Sequence, residues 1–266
     1  MKKQCLTVIC ISVLLSALMA MPAAAEFKRT YFRMQNETMN TERSPVVIGE
    51  PVEYIPLSEN QQYEINIFLS NFAEQYFGCT DYFDVAVPNI NDLISFCHTY
   101  TKLNTDYPFE YKKISDKRRR EVSYEVYSLE QFNKVLDRFF GIRFTDDEVR
   151  AGYADEENSF YRDSHLYFTA ADGGTYSRFA VANTMYLDTN GNCVVDFDIY
   201  QLSFDLYWKS GTVEKKYYAL SPIEAQNTAG LSKVASGRAA VVPFQYNGRD
   251  TYRIKAYYVA KKEIDK

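Results

Sequence analysis

The chain has 266 residues, a formal net charge of -5 at pH 7, 46% hydrophobic and 16% aromatic residues, and 23 Tyr against 1 Trp. A mildly acidic surface has no general attraction for nucleic acid or anionic membrane, and a chain of this length buries a core without disulfide staples. The only two histidines, His98 and His165, exclude a mechanism built on a histidine cluster.

Lys2 and Lys3 precede an apolar run from Leu6 to Met21, followed by Pro22 and the small residues Ala23, Ala24 and Ala25. This is the pattern of a cleaved secretory signal. The run is about 16 residues, short of the roughly 20 that a spanning helix needs, so no span is expected in the mature chain. Cys10 follows Val8 and Ile9 rather than the small residues of a lipid-attachment signal. Residues 1–25 are expected to be removed, 26–56 to form an extended or loose leader, and 57–266 to fold as a single domain. Loss of Lys2 and Lys3 takes the net charge to about -7.

Order begins at Ser58, whose hydroxyl caps a helix while Gln61 reaches back, with Ile65, Phe68, Leu69, Phe72 and Tyr76 on one stripe and Gly78 as terminator. A second helix starts near Asn89 or Asn91, carries Ile90, Leu93, Ile94, Cys97 and Tyr100 inward, and fades around Asn104. Residues 109–114 and 122–127 alternate as strands. Ser128 with Gln131 then caps a helix with Leu129, Phe132, Val135, Leu136 and Phe139 on its apolar face and Gly141 after it. Thr145 with Glu148 caps a shorter one. From about Tyr161 onward the pattern is a meander of antiparallel strands, with turns at Asp172–Gly174, Asn190–Gly191, Ser210–Gly211 and Asn247–Gly248, and a helical turn after Ser221 and Pro222. Val195, Phe197 and Ile199 alternate with Asp196 and Asp198, as on a sheet with one wet face. Helices first and strands later predict an α+β fold, with N-terminal helices packed on one face of a curved antiparallel sheet.

Asp188, Asn190 and Asn192 place oxygens at the first, third and fifth positions of a calcium loop. The sixth position is Cys193 instead of Gly and the twelfth is Ile199 instead of an acid, so a plain hairpin turn is favoured. Asp196 and Asp198 lie two apart on a strand, about 6.5 Å by strand rise, a separation also used by glycosidase carboxylates; solvated strand faces carry such pairs routinely. Cys97 and His98 point about 100° apart on a helix and cannot form a nucleophile pair, which leaves Cys97 with His165 as the thiol–imidazole candidate. Cys79, Cys97 and Cys193 remain after the signal; small buried hydrophobes is the favoured reading, and Cys79–Cys97 is the disulfide to test first. Lys112, Lys113, Lys117, Arg118, Arg119 and Arg120 concentrate six positive charges around one turn, able to dock wall phosphate polymers, lipid headgroups or extracellular nucleic acid, or simply to solvate a hairpin tip. Tyr200, Tyr207, Tyr217, Tyr218, Tyr252, Tyr257 and Tyr258 offer rings for stacking on sugars or proteins, or cover a sheet.

The stretch from Ile65 to Phe140, with "DLISFCHTYTKLN" and "SLEQFNKVLDRFFG", resembles uncharacterised secreted proteins and lipoproteins of Gram-positive anaerobes, a resemblance that brings no assigned activity. In layout the chain is similar to secreted inhibitors of cell-wall endopeptidases and to cystatin-like domains, a likeness of architecture alone. The absence of a nucleophile motif, metal cluster or phosphate loop makes a non-enzymatic, exported binding domain of the bacterial cell envelope the first expectation. It implies no cofactor, an envelope polymer or protein as partner, and no contact with intracellular nucleic acid. A secreted hydrolase of wall or host glycans or peptides is the alternative, and a structural accessory protein the third.

Overall fold

Local capping chemistry sets the helix starts. The computed structural model describes residues 45–74, 82–103, 109–115, 121–155, 158–170, 177–211 and 213–261. Helix α1 (Glu59–Ala73) begins with the reciprocal Ser58–Gln61 capping box and ends at Glu74; Tyr76 and the expected terminator Gly78 lie outside the described residues. Helix α2 (Ile90–Leu103) starts where Asn89 Oδ1 accepts the N–H groups of Asn91 and Asp92. Helix α3 (Leu129–Phe140) has the Ser128–Gln131 box and ends on Gly141 at a φ of 64°. Helix α4 (Asp146–Gly152) has the Thr145–Glu148 box.

The strands are β1 (Pro51–Tyr54), β2 (Tyr82–Asp84), β3 (Glu110–Ser115), β4 (Glu121–Ser128), β5 (Ser159–Arg162), β6 (His165–Thr169), β7 (Arg178–Asp188), β8 (Cys193–Leu202), β9 (Leu231–Tyr246) and β10 (Arg249–Lys261). They form a six-stranded sheet of order β1-β7-β8-β9-β10-β2 and a four-stranded sheet of order β3-β4-β6-β5. The fold is α+β with curved antiparallel sheets, as the element order predicts; the cystatin comparison holds only loosely. The end of the expected leader, Pro51–Tyr54, is an edge strand paired with β7.

Asn247 and Gly248 form the expected two-residue turn, with φ of 50° and 76°. Such turns need positive φ at both central positions. Asp163 and Ser164, at 51° and 58°, make the same kind of turn between β5 and β6; no Asn-Gly signal marks it. Ser210–Gly211 is not a hairpin turn. Gly211 is the left-handed C-cap of helix α5 (Phe204–Ser210), the first of three short helices with α6 (Lys215–Tyr218) and α7 (Pro222–Asn227). Asp172–Gly174 lies outside the described residues.

Aromatic side chains from three helices meet those of β2 and β10 to fill the core. Phe72 stacks on Phe96 at 5.0 Å and lies 5.6 Å from Tyr257, Phe68 is 5.7 Å from Tyr252, and Phe83 is 4.8 Å from Phe140. These separations are those of favourable offset or edge contacts. Along the stretch of β7 beyond its pairing with β1, α1 lies beside the strand and satisfies its backbone. Ser70 Oγ accepts from Ala180 N, Asn66 Oδ1 accepts from Ala182 N, and Gln62 donates to the Ala182 carbonyl. A helix thus covers what would otherwise be an open pairing edge. At one end of β7 and β8 a second cluster gathers Phe179, Val181, Tyr200 and Leu202 beneath Val213, Tyr217 and Ala225.

Candidate functional site

The smaller sheet has two differently dressed faces, and the register assigns them. Tyr111, Glu125 and Phe168 lie opposite one another across β3, β4 and β6, while Lys112, Tyr124 and Thr169 lie opposite one another on the other face. The first face packs against α2, since His98 stacks flat on Phe168 at 3.8 Å and Tyr127 stacks on Phe132 of α3. The second face carries Tyr124, Phe160 and Tyr167. Phe160 stacks on Tyr167 with centroids 4.5 Å apart, and Tyr124 meets both rings edge-on at 5.3 and 6.4 Å. The Lys112 ammonium stands over the Tyr167 ring at 6.0 Å. Tyr124 and Phe160 are half-buried, Tyr167 is buried at 8% exposure and Lys112 is exposed, so two rings and a cation are offered outward over a buried third ring.

On the inner face a carboxylate is taken almost entirely out of water. Glu125 is 1% exposed and accepts hydrogen bonds from His98 Nε2 at 2.9 Å, Lys102 Nζ at 2.9 Å and Tyr127 Oη at 3.3 Å. Burial alone would push the Glu125 carboxyl up, but the hydrogen bonds and charges of His98 and Lys102 win and hold it below its usual value. Burial and the neighbouring Glu125 charge push the Tyr127 phenol up, so it serves as a donor. Imidazole oriented by a buried carboxylate is the arrangement that general-base sites use. Sequence reading missed it because His98 and Glu125 are 27 positions apart and their encounter depends on docking a helix onto a sheet.

The residues expected to bind or react fall in several places. Of the basic cluster, Lys112 and Lys113 sit on β3, with Lys113 3.7 Å from Glu121 at the far side of the sheet pairing; Lys117, Arg118, Arg119 and Arg120 lie outside the described residues. The sheet tyrosines are a correction. Tyr200, Tyr252 and Tyr257 are 1%, 9% and 3% exposed, because the six-stranded sheet is covered by helices on the side of β10 and by the α5–α7 cap at Tyr200. Tyr217 is buried in that cap, Tyr218 donates its hydroxyl to Glu74, and Tyr207 is half-buried, so Tyr258 alone of the group is exposed.

The calcium-like loop is a clasp. Asp188 Oδ1 accepts from the Asn190 and Asn192 N–H groups, and its Oδ2 accepts from Gly49 N and Asn192 Nδ2. Asn190 and Asn192 both donate to the Val47 carbonyl. The three side chains that mimic calcium-loop ligands pin the segment before β1 to the β7–β8 turn, and those donors hold Asp188 below its usual value despite burial. Among the described residues no group of three or more His, Cys, Asp or Glu is placed to hold a metal.

Asp196 and Asp198 are each matched to a cation of β9. Asp196 takes both Nε and Nη2 of Arg238, and Asp198, 3% exposed, takes Lys233 Nζ at 2.7 Å and Ser236 Oγ at 2.8 Å. This is cross-strand pairing rather than a shared catalytic gap, and Asp198 is not on a wet face. Cys97 is a free, fully buried thiol whose Sγ faces the Phe132 carbonyl, so it does not form the Cys79–Cys97 disulfide; Cys79 itself lies outside the described residues. Burial pushes the Cys97 thiol well above its usual value and that of Cys193 up to about 12, the state of an inert packing residue. His165 contacts its own turn through Nδ1 at the Asp163 carbonyl, so thiol and imidazole are committed elsewhere. Among the described residues no helix is long and apolar enough to cross a membrane. No protein-family model, curated protein or solved structure matches the chain.

Proposed function

We propose that the chain is an exported, non-enzymatic binding domain of the bacterial cell envelope that engages an anionic polymer through the outer face of the four-stranded sheet. The observation that carries the reading is the grouping of Tyr124, Phe160 and Tyr167 with the Lys112 ammonium on the face turned away from α2. Rings offer flat apolar surface for sugar or base faces, and a cation set among them supplies attraction for phosphate that weakens with salt. The basic cluster read from the sequence includes Lys112 and Lys113 of β3 in the same sheet. The amino-terminal signal pattern supports export, and wall polymers joined by phosphodiesters supply both chemistries outside a cell. The test is sedimentation with wall sacculi before and after removal of their phosphodiester polymers. Binding should be lost on removal and weakened by Lys112→Glu and by Tyr124→Ala; equal binding to both preparations contradicts the reading.

A second reading, a secreted hydrolase, is favoured by one observation, the Glu125–His98 couple. In that reading His98 draws a proton from water through Nδ1 while Glu125 holds the ring by Nε2. Release of soluble fragments from wall substrates, abolished by His98→Ala, supports it; the same release rate in the variant contradicts it.

A further inference from the structure

Two arginines of neighbouring elements have similar aromatic settings and different electrostatic partners. Arg253 of β10 lies over the Phe244 ring at 3.6 Å, and its Nε and Nη2 donate to the carbonyl and Oδ1 of Asp137. Arg138, the residue after Asp137 on α3, is half-buried, with its guanidinium 4.9 Å from the Tyr246 centroid, 5.0 Å from that of Phe139 and 5.3 Å from that of Tyr100. Its Nη1 donates to Tyr100 Oη. Among the described residues no carboxylate pairs with Arg138, and nothing accepts from its Nε–Nη2 edge. Rings offset part of the hydration that a half-buried guanidinium loses. The forked edge is then what Arg138 offers a ligand, and that fork matches two oxygens of a carboxylate or phosphate.

A second guanidinium stands at the same ring. Tyr246 and Arg249 lie directly opposite one another on β9 and β10, flanking the Asn247–Gly248 turn, so their side chains share a face with Cβ atoms about 5 Å apart. Arg249 is exposed and makes no ion pair among the described residues. The acids nearby do not neutralise these two cations. Asp137 is committed to Arg253 and to Arg143, whose Nη2 is 3.5 Å from its Oδ2. Asp250 follows Arg249 and takes the other face of the hairpin, opposite Gln245, which donates to it at 3.1 Å. In this linked cluster Arg138, Arg143, Arg249 and Arg253 therefore meet one carboxylate, on a chain whose net charge is -5. Two unpaired guanidiniums at one ring favour an anion of two charges over one of a single charge. At neutral pH a phosphate monoester carries about two, whereas a carboxylate or a phosphodiester carries one.

We infer that Arg138 and Arg249, gathered at Tyr246, bind a dianionic phosphoryl group, that of a phosphate monoester or of free phosphate, with Arg138 gripping two oxygens through Nε and Nη2 and Arg249 closing on the same group from the hairpin. The site shares no residue with the sheet face carrying Tyr124, and the inference stands whether or not wall polymer binds there.

Calorimetric titration of the full chain at neutral pH and low salt tests it, with phenyl phosphate, inorganic phosphate and dimethyl phosphate as probes. Phenyl phosphate binds, and dimethyl phosphate, with its single charge, binds at least about tenfold more weakly. Inorganic phosphate that binds as tightly as phenyl phosphate assigns the site to free phosphate; a preference for phenyl phosphate assigns it to an ester. Arg249→Gln, at an exposed hairpin position, and Arg138→Lys, which keeps the charge and loses the fork, each weaken phenyl phosphate binding about tenfold. Melting temperatures matching the parent confirm that both variants fold. Lys112→Glu leaves the affinity unchanged. Absence of binding by both dianions, equal binding of dimethyl phosphate, parent-like affinity in either arginine variant, or loss of binding in Lys112→Glu overturns the inference.

Discussion

At the scale of single residues, two carboxyls, the half-buried Glu74 and the buried Glu125, make opposite demands on pH. Burial raises the Glu74 carboxyl from 4.5 to about 7, with the Tyr218 hydroxyl pulling the other way. The folded chain therefore holds this proton more tightly than the unfolded chain, and stability from this group is present at low pH and lost as pH rises through that window. Glu74→Gln should raise the melting temperature at pH 7.5 and leave it nearly unchanged at pH 4.5; thermal melts at both values check this. Glu125 is the reverse case. Its value is held down by His98 and Lys102, so its contribution is present at neutral pH and lost as pH falls below the ordinary carboxylate range. Glu125→Ala removes the buried acceptor that His98, Lys102 and Tyr127 share and should cost about 3 kcal/mol at pH 7, read from denaturant midpoints. Glu125→Gln should cost less, because it keeps an acceptor for both donors.

At the scale of elements, helix α1 serves as a lid on a strand edge as well as a core helix. Asn66 accepts from Ala182 N and donates to the Tyr218 and Leu220 carbonyls. Asn66→Ala should therefore cost about 2 to 3 kcal/mol by leaving buried backbone groups unpaired, with hydrogen exchange rising at Ala182 and unchanged at β3. On β9, a Cβ at Gly237 would stand 2.2 Å from Phe197 Cζ. Gly237→Ala should destabilise by about 1 to 3 kcal/mol through forced ring displacement, and Phe197→Leu in the same chain should recover part of the loss. The legibility of these elements follows their range. Capping boxes at Ser58, Ser128 and Thr145 and the Asn247–Gly248 turn are settled within a few residues, so sequence predicts them. Gly211 was ambiguous because a left-handed glycine ends helices as well as hairpins, and no local pattern separates the two.

At the scale of the whole molecule, the site was less legible than the fold, for a physical reason. A tyrosine's preference for pleated surface does not say which face it takes or what covers that face. Tyr200, Tyr252 and Tyr257 satisfy the strand pattern and are buried under helices, whereas Tyr124 and Phe160 became visible as a surface only once the strands divided into two sheets. Asp196 and Asp198 looked alike along β8 and met separate cations from β9. Lys112 is where sequence and structure coincide: it belongs to the basic cluster that charge density marks, and it stands over Tyr167. The most direct measurement of the account is the dissociation constant of the full chain for sacculi bearing phosphodiester polymers, measured for the parent and for Lys112→Glu across a salt series. The account predicts binding that weakens as salt rises, and a variant about tenfold weaker at low salt whose affinity depends less on salt. Equal affinity of parent and variant at every salt concentration would contradict it.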